Sequence, residues 1–306
     1  MNYLYGPVPS RRLGSSLGVD LVPCKVCSFD CIYCQLGRTT RKTCERKEYV
    51  SREGVIKEIS EFLESGNTCD YITLAGSGEP TLHSGIGDII LQVKKLTDIP
   101  VAVITNSSLL GSIKLRTELK QADVVLPSLD ATSQTVFETI NRPADGISSE
   151  KMVYWLSSFR KGFEGKLWLE VLMVRGVNDS PEELMGLKQA IKDIRPDKVH
   201  INTVTRPSCE FYAQPLNQVE LSQIAEVLGG EVIADSNRST LSKVLDDQKE
   251  DLISKLIERR PCTLFDISNA LGLHENEAVK YIKSLETRGK IKSSYKQGKR
   301  FYGGIV

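Results

Sequence analysis

The 306-residue sequence lacks the features that mark several common classes of protein. No apolar run approaches the roughly 18 residues that cross a bilayer, and the start MNYLYGPVPSRR lacks the basic and then apolar order of a signal peptide. Histidine is scarce, with three residues and no obvious catalytic triad, and 40 Lys and Arg nearly cancel 39 Asp and Glu. These absences predict a globular cytoplasmic protein that has no membrane partner and little overall attraction to polyanions.

Cysteine, in contrast, is concentrated in one place. Four of the eight cysteines (Cys24, Cys27, Cys31 and Cys34) fall within eleven residues, which in a cytosolic chain indicates a metal site rather than disulfides. The last three have the spacing CxxxCxxC, so one loop can supply three thiolates to an iron–sulfur cluster and leave one iron open. Zinc is the alternative, but structural zinc usually has about ten or more residues between its ligand pairs.

Short β-branched runs alternate with helical patterns from about residue 17 to residue 204. This alternation predicts an α/β fold with a parallel sheet, and six strands are too few to close an eight-stranded barrel, so we expect a partial (βα)6 TIM-like barrel. Its chemistry should lie at the carboxyl ends of the strands. The predicted strands are 17–22, 71–75, 100–105, 123–127, 167–174 and 198–204, and the predicted helices are 52–65, 84–97, 111–121, 132–140, 149–161 and 181–194.

A different pattern follows the alternating region. We predict a barrel over residues 1–235, a linker over 236–246 and a second domain over 247–306. The second domain shows three helical stripes, of which one begins at a Thr263 cap, and then a basic hairpin about Gln297-Gly298. This order resembles a winged helix-turn-helix.

The second domain is also the basic part of the chain. It carries 12 Lys and Arg against 8 Asp and Glu, a net charge of +4, whereas the first 246 residues carry −3. Aromatic residues lie between the cations of the hairpin, which suits a phosphate backbone, so RNA, DNA or a peptide is the expected partner of residues 247–306. A solvated charged face or a dimer contact is the alternative.

Two motifs resemble those of the radical S-adenosylmethionine (radical SAM) superfamily. The first is CSFDCIYC, residues 27–34, in which the aromatic Tyr33 before the last cysteine is also typical. The second is GSGEP, residues 76–80, which is similar to the Gly-Gly-Glu-Pro motif of the superfamily although Ser77 replaces one glycine. The resemblance implies a [4Fe–4S] cluster with one open iron on Cys27, Cys31 and Cys34.

The resemblance also implies contacts with S-adenosylmethionine (SAM) at the ends of the predicted strands. The GSGEP segment would hold the methionine amino group, polar residues after the third and fourth strands would meet the ribose, and the fifth strand would line the adenine. Taken singly, each polar residue is otherwise an ordinary cap or turn residue. The implied SAM contacts are Tyr33, Gly76, Ser77, Gly78, Glu79, Asn106, Ser128, Asp130 and Val174.

The function implied by the resemblance is reductive cleavage of SAM. A low-potential donor of the ferredoxin or flavodoxin type would supply the electron, and a 5′-deoxyadenosyl radical would remove hydrogen from a substrate such as RNA or a peptide. Residues 5–23, 78–83 and 128–143 look like the branch related to wyosine synthases, which modify a tRNA base. The alternative is a redox-sensing, winged-helix DNA-binding regulator, which would have no use for the SAM contacts.

Arg11 and Arg12 are further candidates for a role in substrate binding. They precede the first predicted strand, and Arg206, which follows the sixth, is a candidate of the same kind. The guanidinium fork of arginine suits a phosphate or a carboxylate because it donates twice. A solvated surface arginine is the alternative for each.

Overall fold

The computed structural model describes most of the chain. The described residues are 3–205, 208–233, 249–273, 278–279, 281–282, 285–286, 288–296 and 298–305. The predicted linker, residues 236–246, and the boundary at residue 235 lie outside them, so the division into domains stays a prediction. The candidate Arg206 also lies outside them. Among the described helices, none has the length and apolar character needed to cross a membrane.

The described residues form one large sheet and two small ones. The strands are β1 (Leu4–Ser10), β2 (Gly14–Val19), β3 (Val26–Cys27), β4 (Arg41–Lys42), β5 (Tyr71–Leu74), β6 (Val101–Thr105), β7 (Val124–Pro127), β8 (Lys166–Met173), β9 (Lys198–Thr203), β10 (Glu231–Val232), β11 (Cys262–Thr263), β12 (Ile291–Lys296) and β13 (Lys299–Gly304). The large sheet has the order β1-β2-β5-β6-β7-β8-β9-β10, and the small sheets are β11-β13-β12 and β3-β4.

The large sheet is parallel from β2 to β10, as the alternation of strands and helices predicts. Each of the six predicted strands overlaps a strand of this sheet. The structure is therefore a mixed α/β fold with an open parallel sheet, and the prediction of a partial TIM-like barrel is confirmed.

The helices of residues 52–228 (α1 to α7) cover one face of the sheet, and those of residues 249–271 (α8 and α9) belong to the C-terminal part. In chain order they are α1 (Arg52–Glu64), α2 (Ile86–Leu96), α3 (Ile113–Leu119), α4 (Gln134–Asn141), α5 (Ser149–Arg160), α6 (Pro181–Ile194), α7 (Gln218–Leu228), α8 (Lys249–Arg259) and α9 (Leu264–Leu271). Side-chain caps begin several of them; for example, the Ser51 hydroxyl accepts from Gly54 N, and Ser180 caps a helix whose first residue is Pro181.

Alternate strand residues face the main core and the opposite face of the sheet. Val101 and Val103 pack in the main core, between the sheet and the helices, whereas Ala102 belongs to a smaller apolar cluster with Leu126 and Trp168. We call the face that carries this smaller cluster the inner face. It is the face on which a partial barrel holds its ligands.

The antiparallel edge strand β1 and the short strand β10 were not predicted. Strand β1 contains Pro7 and Pro9, which lack a backbone N–H and usually weaken a strand assignment. Proline is tolerated at a sheet edge because one side of an edge strand needs no ladder hydrogen bonds. The position of β1 at the end of the sheet order accounts for both prolines.

The C-terminal part contains α8, α9, further helical residues between 278 and 286, and the sheet β11-β13-β12. The Thr263 cap is confirmed: its hydroxyl accepts from Asp266 N, and Gly272 ends the helix in the left-handed conformation. Its apolar core continues onto the barrel, because Val8 of β1 packs within it. The winged helix-turn-helix assignment stays a prediction.

Candidate functional site

The cysteine loop and the GSGEP segment lie side by side at the carboxyl edge of the sheet. Lys25 N donates to Ser77 O over 2.7 Å, and Glu79 N donates to Val26 O over 3.1 Å. A Cβ on Gly78 would overlap the carbonyl oxygen of Val26, so this close approach requires glycine. The two motifs that are 42 residues or more apart in sequence thus form one surface in the fold.

Each of the three predicted cluster ligands has an N–H group beside its sulfur. Asn106 Nδ2 lies 3.5 Å from Cys27 Sγ, and Asn141 Nδ2 lies 3.5 Å from Cys31 Sγ. The third sulfur, Cys34 Sγ, lies 3.4 Å from Lys25 Nζ. Hydrogen bonds to sulfur are one of the means by which a protein tunes an iron–sulfur cluster.

The environment of the cysteine loop suits a metal centre that is held by thiolates. Burial raises the pKa of Cys27 to about 12, with a further contribution from the Glu79 carboxylate, and burial raises the pKa of Cys31 well above its ordinary value. Such thiols stay protonated in the free protein, and a positively charged metal centre is what converts them into thiolates. The residues present therefore fit an iron–sulfur cluster that binds with loss of thiol protons.

The spacing of the cysteines is the observation that favours an iron–sulfur cluster over zinc. Within the part of the chain that the structure describes, no group of three or more His, Cys, Asp or Glu side chains lies close enough together to hold a single metal ion. Cys24 and Cys44 are exposed, whereas Cys27, Cys31 and Cys34 are half-buried.

Glu79 holds the loops together from a buried position. Its Oε1 accepts hydrogen bonds from Thr81 N and from the hydroxyls of Thr81 and Thr105, and its Oε2 accepts from Asn106 N over 2.8 Å. The side chain is 2% exposed, and burial raises its pKa. Glu79 thereby fixes the position of Asn106, and the predicted contact of Glu79 with SAM stays a prediction.

Asp130 forms a second buried centre with Tyr33. The Tyr33 hydroxyl donates to Asp130 Oδ2 over 2.5 Å, Asn141 Nδ2 donates to the same oxygen over 2.7 Å, and Leu172 N donates to Oδ1 over 3.0 Å. Both carboxylate oxygens are therefore engaged, and burial raises the pKa of Asp130. The aromatic residue of the cysteine motif is thus joined directly to the predicted ribose contact.

The remaining predicted SAM contacts lie around these centres. Ser128 is half-buried after β7, and Asn106 donates to the Ser28 hydroxyl over 2.9 Å. Gly76 has a φ of +131° and lies against the Asp20 carboxylate, which a Cβ would overlap. Val174 is fully buried in the main core, and its contact with adenine stays a prediction.

Sequence reasoning missed three residues that complete this site. Asp20 accepts from Ser77 N over 2.8 Å and from the Ser77 hydroxyl over 2.6 Å, so it holds the GSGEP segment. Lys25 and Asn141 supply N–H groups to two of the sulfurs. All three lie in segments that carry the motifs, Asp20 in residues 5–23, Lys25 between Cys24 and Cys27, and Asn141 in residues 128–143, but the direction of their side chains depends on the fold.

Comparison with known protein families identifies the arrangement. The model of the radical SAM superfamily matches residues 21–187, which include the cysteine loop, the GSGEP segment and Asp130. The chain belongs to the radical SAM superfamily. Members of this superfamily use a [4Fe–4S] cluster and a reductant to cleave SAM to a 5′-deoxyadenosyl radical, so the radical SAM prediction is confirmed.

Individual relatives extend over almost the whole chain. The UPF0026 protein MJ1312 of Methanocaldococcus jannaschii is 31% identical, with 95% of this chain and 98% of that protein covered. A protein named GTPase Obg of Brachyspira hyodysenteriae is 37% identical over 96% of this chain, and the chain spans only 44% of its length. The proposed wyosine-like branch stays a prediction.

Solved structures show the same fold. The [FeFe]-hydrogenase maturase HydG of Carboxydothermus hydrogenoformans aligns with a TM-score of 0.51 and 15% identity, covering 70% of this chain and 52% of HydG. At this identity the likeness concerns the fold alone.

Proposed function

We propose that this chain is itself a radical SAM enzyme that binds a [4Fe–4S] cluster through Cys27, Cys31 and Cys34. These residues would hold a cluster that passes one electron from a low-potential donor of the ferredoxin or flavodoxin type to SAM, whose C5′–S bond would break to give methionine and a 5′-deoxyadenosyl radical that removes hydrogen from a substrate. The proposal depends chiefly on one observation: three half-buried thiols, each beside an N–H group, share a surface with the GSGEP segment.

The chain's own residues would bind, orient and shield in this reaction. Glu79 fixes the loop after β6, and Asp20 fixes the loop after β5 through Ser77. Asp130 and Glu79 are buried carboxylates whose hydrogen-bond donors are neutral, so they leave negative charge near the site. SAM carries positive charge on its sulfonium and ammonium groups, and buried negative charge close to them stabilises its binding.

Formation of 5′-deoxyadenosine tests the proposal. The anaerobically reconstituted protein, incubated with SAM and a strong reductant, should release 5′-deoxyadenosine, which chromatography with mass detection measures. Cys31→Ala should release none, and Cys44→Ala, which removes an exposed thiol outside the motif, should behave as the wild type. Absence of 5′-deoxyadenosine from reconstituted wild-type protein that contains a full cluster would overturn the proposal.

We further propose that the C-terminal part recruits an RNA substrate. Lys290, Lys292 and Lys299 are exposed on or beside the hairpin of β12 and β13. The Tyr295 side chain in the same hairpin is 74% exposed, and an exposed aromatic ring among cations suits stacking on a base next to a phosphate. A titration of the full chain against labelled RNA, DNA and peptide tests this proposal, and preferential binding of DNA or a peptide would overturn it.

No comparison favours the regulator that the sequence left as an alternative. A redox sensor needs the cysteines but has no need of the GSGEP loop or of the buried carboxylates that organise it. The same 5′-deoxyadenosine assay separates the two functions, because a regulator would bind a cluster without cleaving SAM.

A further inference from the structure

We propose that arginines from both parts of the chain form a binding site for an oxyanion of the substrate, a phosphate or a carboxylate. The residues are Arg12 in the turn between β1 and β2 and the consecutive residues Arg259 and Arg260 at the end of α8. We call these three residues the arginine layer. The inference rests on the proposed function, since it assigns a substrate group to the same barrel.

Arg12 reaches the inner face of the sheet. It forms an ion pair with Glu170 of β8, and Asn202 Nδ2 donates to Glu170 Oε1 over 2.9 Å. The neighbouring Arg11 Nη1 donates to Asn202 Oδ1 over 3.1 Å. Glu170 lies two residues from Trp168 along β8, so it shares the inner face with that ring.

Arg259 connects the C-terminal part to the edge of the barrel that carries the GSGEP segment. Its Nη1 lies 2.7 Å from Asp20 Oδ2, and its guanidinium lies 4.6 Å from the centre of the Tyr5 ring. Asp20 is the residue that holds Ser77 of the GSGEP segment. The arginine layer is therefore one side chain away from the loop predicted to hold the methionine group of SAM.

Arg260 supplies charge that the described side chains do not balance. Its Nε is buried without a hydrogen-bond partner, and within the described part of the chain no carboxylate pairs with its guanidinium. The layer thus contains three guanidinium groups, of which Arg12 and Arg259 have carboxylate partners. Arg260 is half-buried, so its guanidinium is partly removed from water without a carboxylate beside it, and one bound oxyanion would compensate its charge.

Repulsion among the guanidinium groups of the layer also supports an oxyanion site. Burial, together with the nearby guanidinium groups of Arg11 and Arg260, lowers the pKa of Arg12 to about 10. Like charges are therefore close enough to repel one another across the layer. A phosphate or carboxylate accepts two parallel N–H bonds from a guanidinium, so it would reverse this repulsion and fix the orientation of the substrate.

Anion binding to the full chain tests the site without a cluster or SAM. Inorganic phosphate and acetate, titrated at constant ionic strength against chloride, should change the fluorescence of Trp168, whose ring lies 5.7 Å from that of His200 beside the layer. We expect saturable binding of at least one anion. The tighter of the two identifies the substrate group as a phosphate or a carboxylate.

Substitution of Arg260 locates the binding. Arg260→Gln should raise the dissociation constant at least tenfold, and Arg260→Lys should raise it less because it keeps the charge but loses the fork. Arg175→Gln is the matched control: it removes the same charge from an exposed pair with Glu220 and should change the constant less than twofold. If Arg260→Gln fails to fold by circular dichroism, Arg260→Lys decides.

Two results would overturn the oxyanion site. One is the absence of saturable binding of either anion to the wild-type chain. The other is equal binding by the Arg260 variants and Arg175→Gln. Both results leave 5′-deoxyadenosine formation unaffected, so failure of the oxyanion site and failure of the proposed function are distinguishable.

Discussion

Two polar networks of this molecule differ in the partners of their buried carboxylates. Around the cysteine loop, the carboxylates of Glu79 and Asp130 accept only from hydroxyls, amides and backbone N–H groups. In the arginine layer, Asp20 and Glu170 are paired with guanidinium groups. The first network keeps net negative charge beside the site of a cationic cofactor. The second keeps net positive charge where a substrate would lie.

The difference indicates how one open sheet can bind two ligands of opposite charge. Neutral donors stabilise a carboxylate without cancelling its charge, so the field at the cysteine loop remains available to SAM. In the arginine layer, the carboxylates of Glu170 and Asp20 balance the charges of Arg12 and Arg259, and the positive charge of Arg260 remains. The predictions below test each network separately, from the largest expected effect to the smallest.

Loss of one cluster ligand should have the largest effect. Cys27→Ala should lose nearly all of the about four irons of a reconstituted [4Fe–4S] cluster, because the remaining loop thiols cannot complete its ligation. Cys24→Ala should keep them, since Cys24 is exposed and lies outside the CxxxCxxC spacing. Iron analysis and absorption spectra measure both. Equal loss in the two variants would make Cys24 a ligand and leave no open iron for SAM.

How much of this site could be predicted from sequence depends on the range of the contacts. The cysteine spacing, GSGEP, and the sites after β6 and β7 are local patterns, and the structure places them along one edge of the sheet. The arginine layer joins residues 12 and 20 to residues 259 and 260, and no local pattern specifies that pairing. Strand β1, which was not predicted because prolines weaken a strand assignment, carries the Tyr5 ring over which Arg259 lies.

Removal of Arg259 tests the pairing that connects the two parts of the chain. Arg259→Gln leaves the Asp20 carboxylate, a side chain 12% exposed, without its cation, which should cost about 3 kcal/mol in the free energy of unfolding. Denaturant titration measures the loss, and Arg300→Gln, which breaks the more exposed pair of Arg300 with Glu286 in the same part, is the control. Equal stability of the two variants would show that the Arg259–Asp20 pair contributes little.

His200 should make stability depend on pH. Burial, with Arg12 nearby, lowers its pKa from 6.5 to about 4, so the unfolded chain takes up the proton first as the pH falls. This contribution to stability is complete above pH 6.5 and lost towards pH 4, and it amounts to about 2 kcal/mol between pH 7 and pH 5. Denaturant titrations at the two pH values should show a smaller difference for His200→Gln than for the wild type. An unchanged difference would remove His200 as the cause.

Asp130→Ala tests the network of buried carboxylates around the cysteine loop. The predicted ribose contact and the anchor of Tyr33 are both lost, so the affinity for SAM should fall about tenfold, or about 1.4 kcal/mol, while the cluster spectrum stays intact. Equilibrium binding of SAM to the reconstituted protein measures the change. Asp145→Ala, on an exposed part of the chain, is the control. Unchanged affinity in Asp130→Ala would remove Asp130 from the SAM site.

The smallest effect concerns the exposed cations of the hairpin, which belong to neither network. If the C-terminal part binds RNA, the affinity of the full chain should fall steeply with salt, because each phosphate contact releases a condensed counterion. Lys292→Ala and Lys299→Ala remove exposed charges, and each should flatten the plot of log affinity against log salt by about one unit per lost contact.

Lys296 and Arg300 provide the internal comparison for this last prediction. Lys296 Nζ lies 3.1 Å from the Ser208 hydroxyl, and Arg300 is paired with Glu286, so both make contacts within the chain. Their substitution should therefore flatten the salt slope less than that of Lys292 or Lys299. A fluorescence anisotropy titration of labelled RNA at several salt concentrations distinguishes the four variants. Binding that does not respond to salt would exclude the phosphate backbone as the main contact and favour recognition of a peptide.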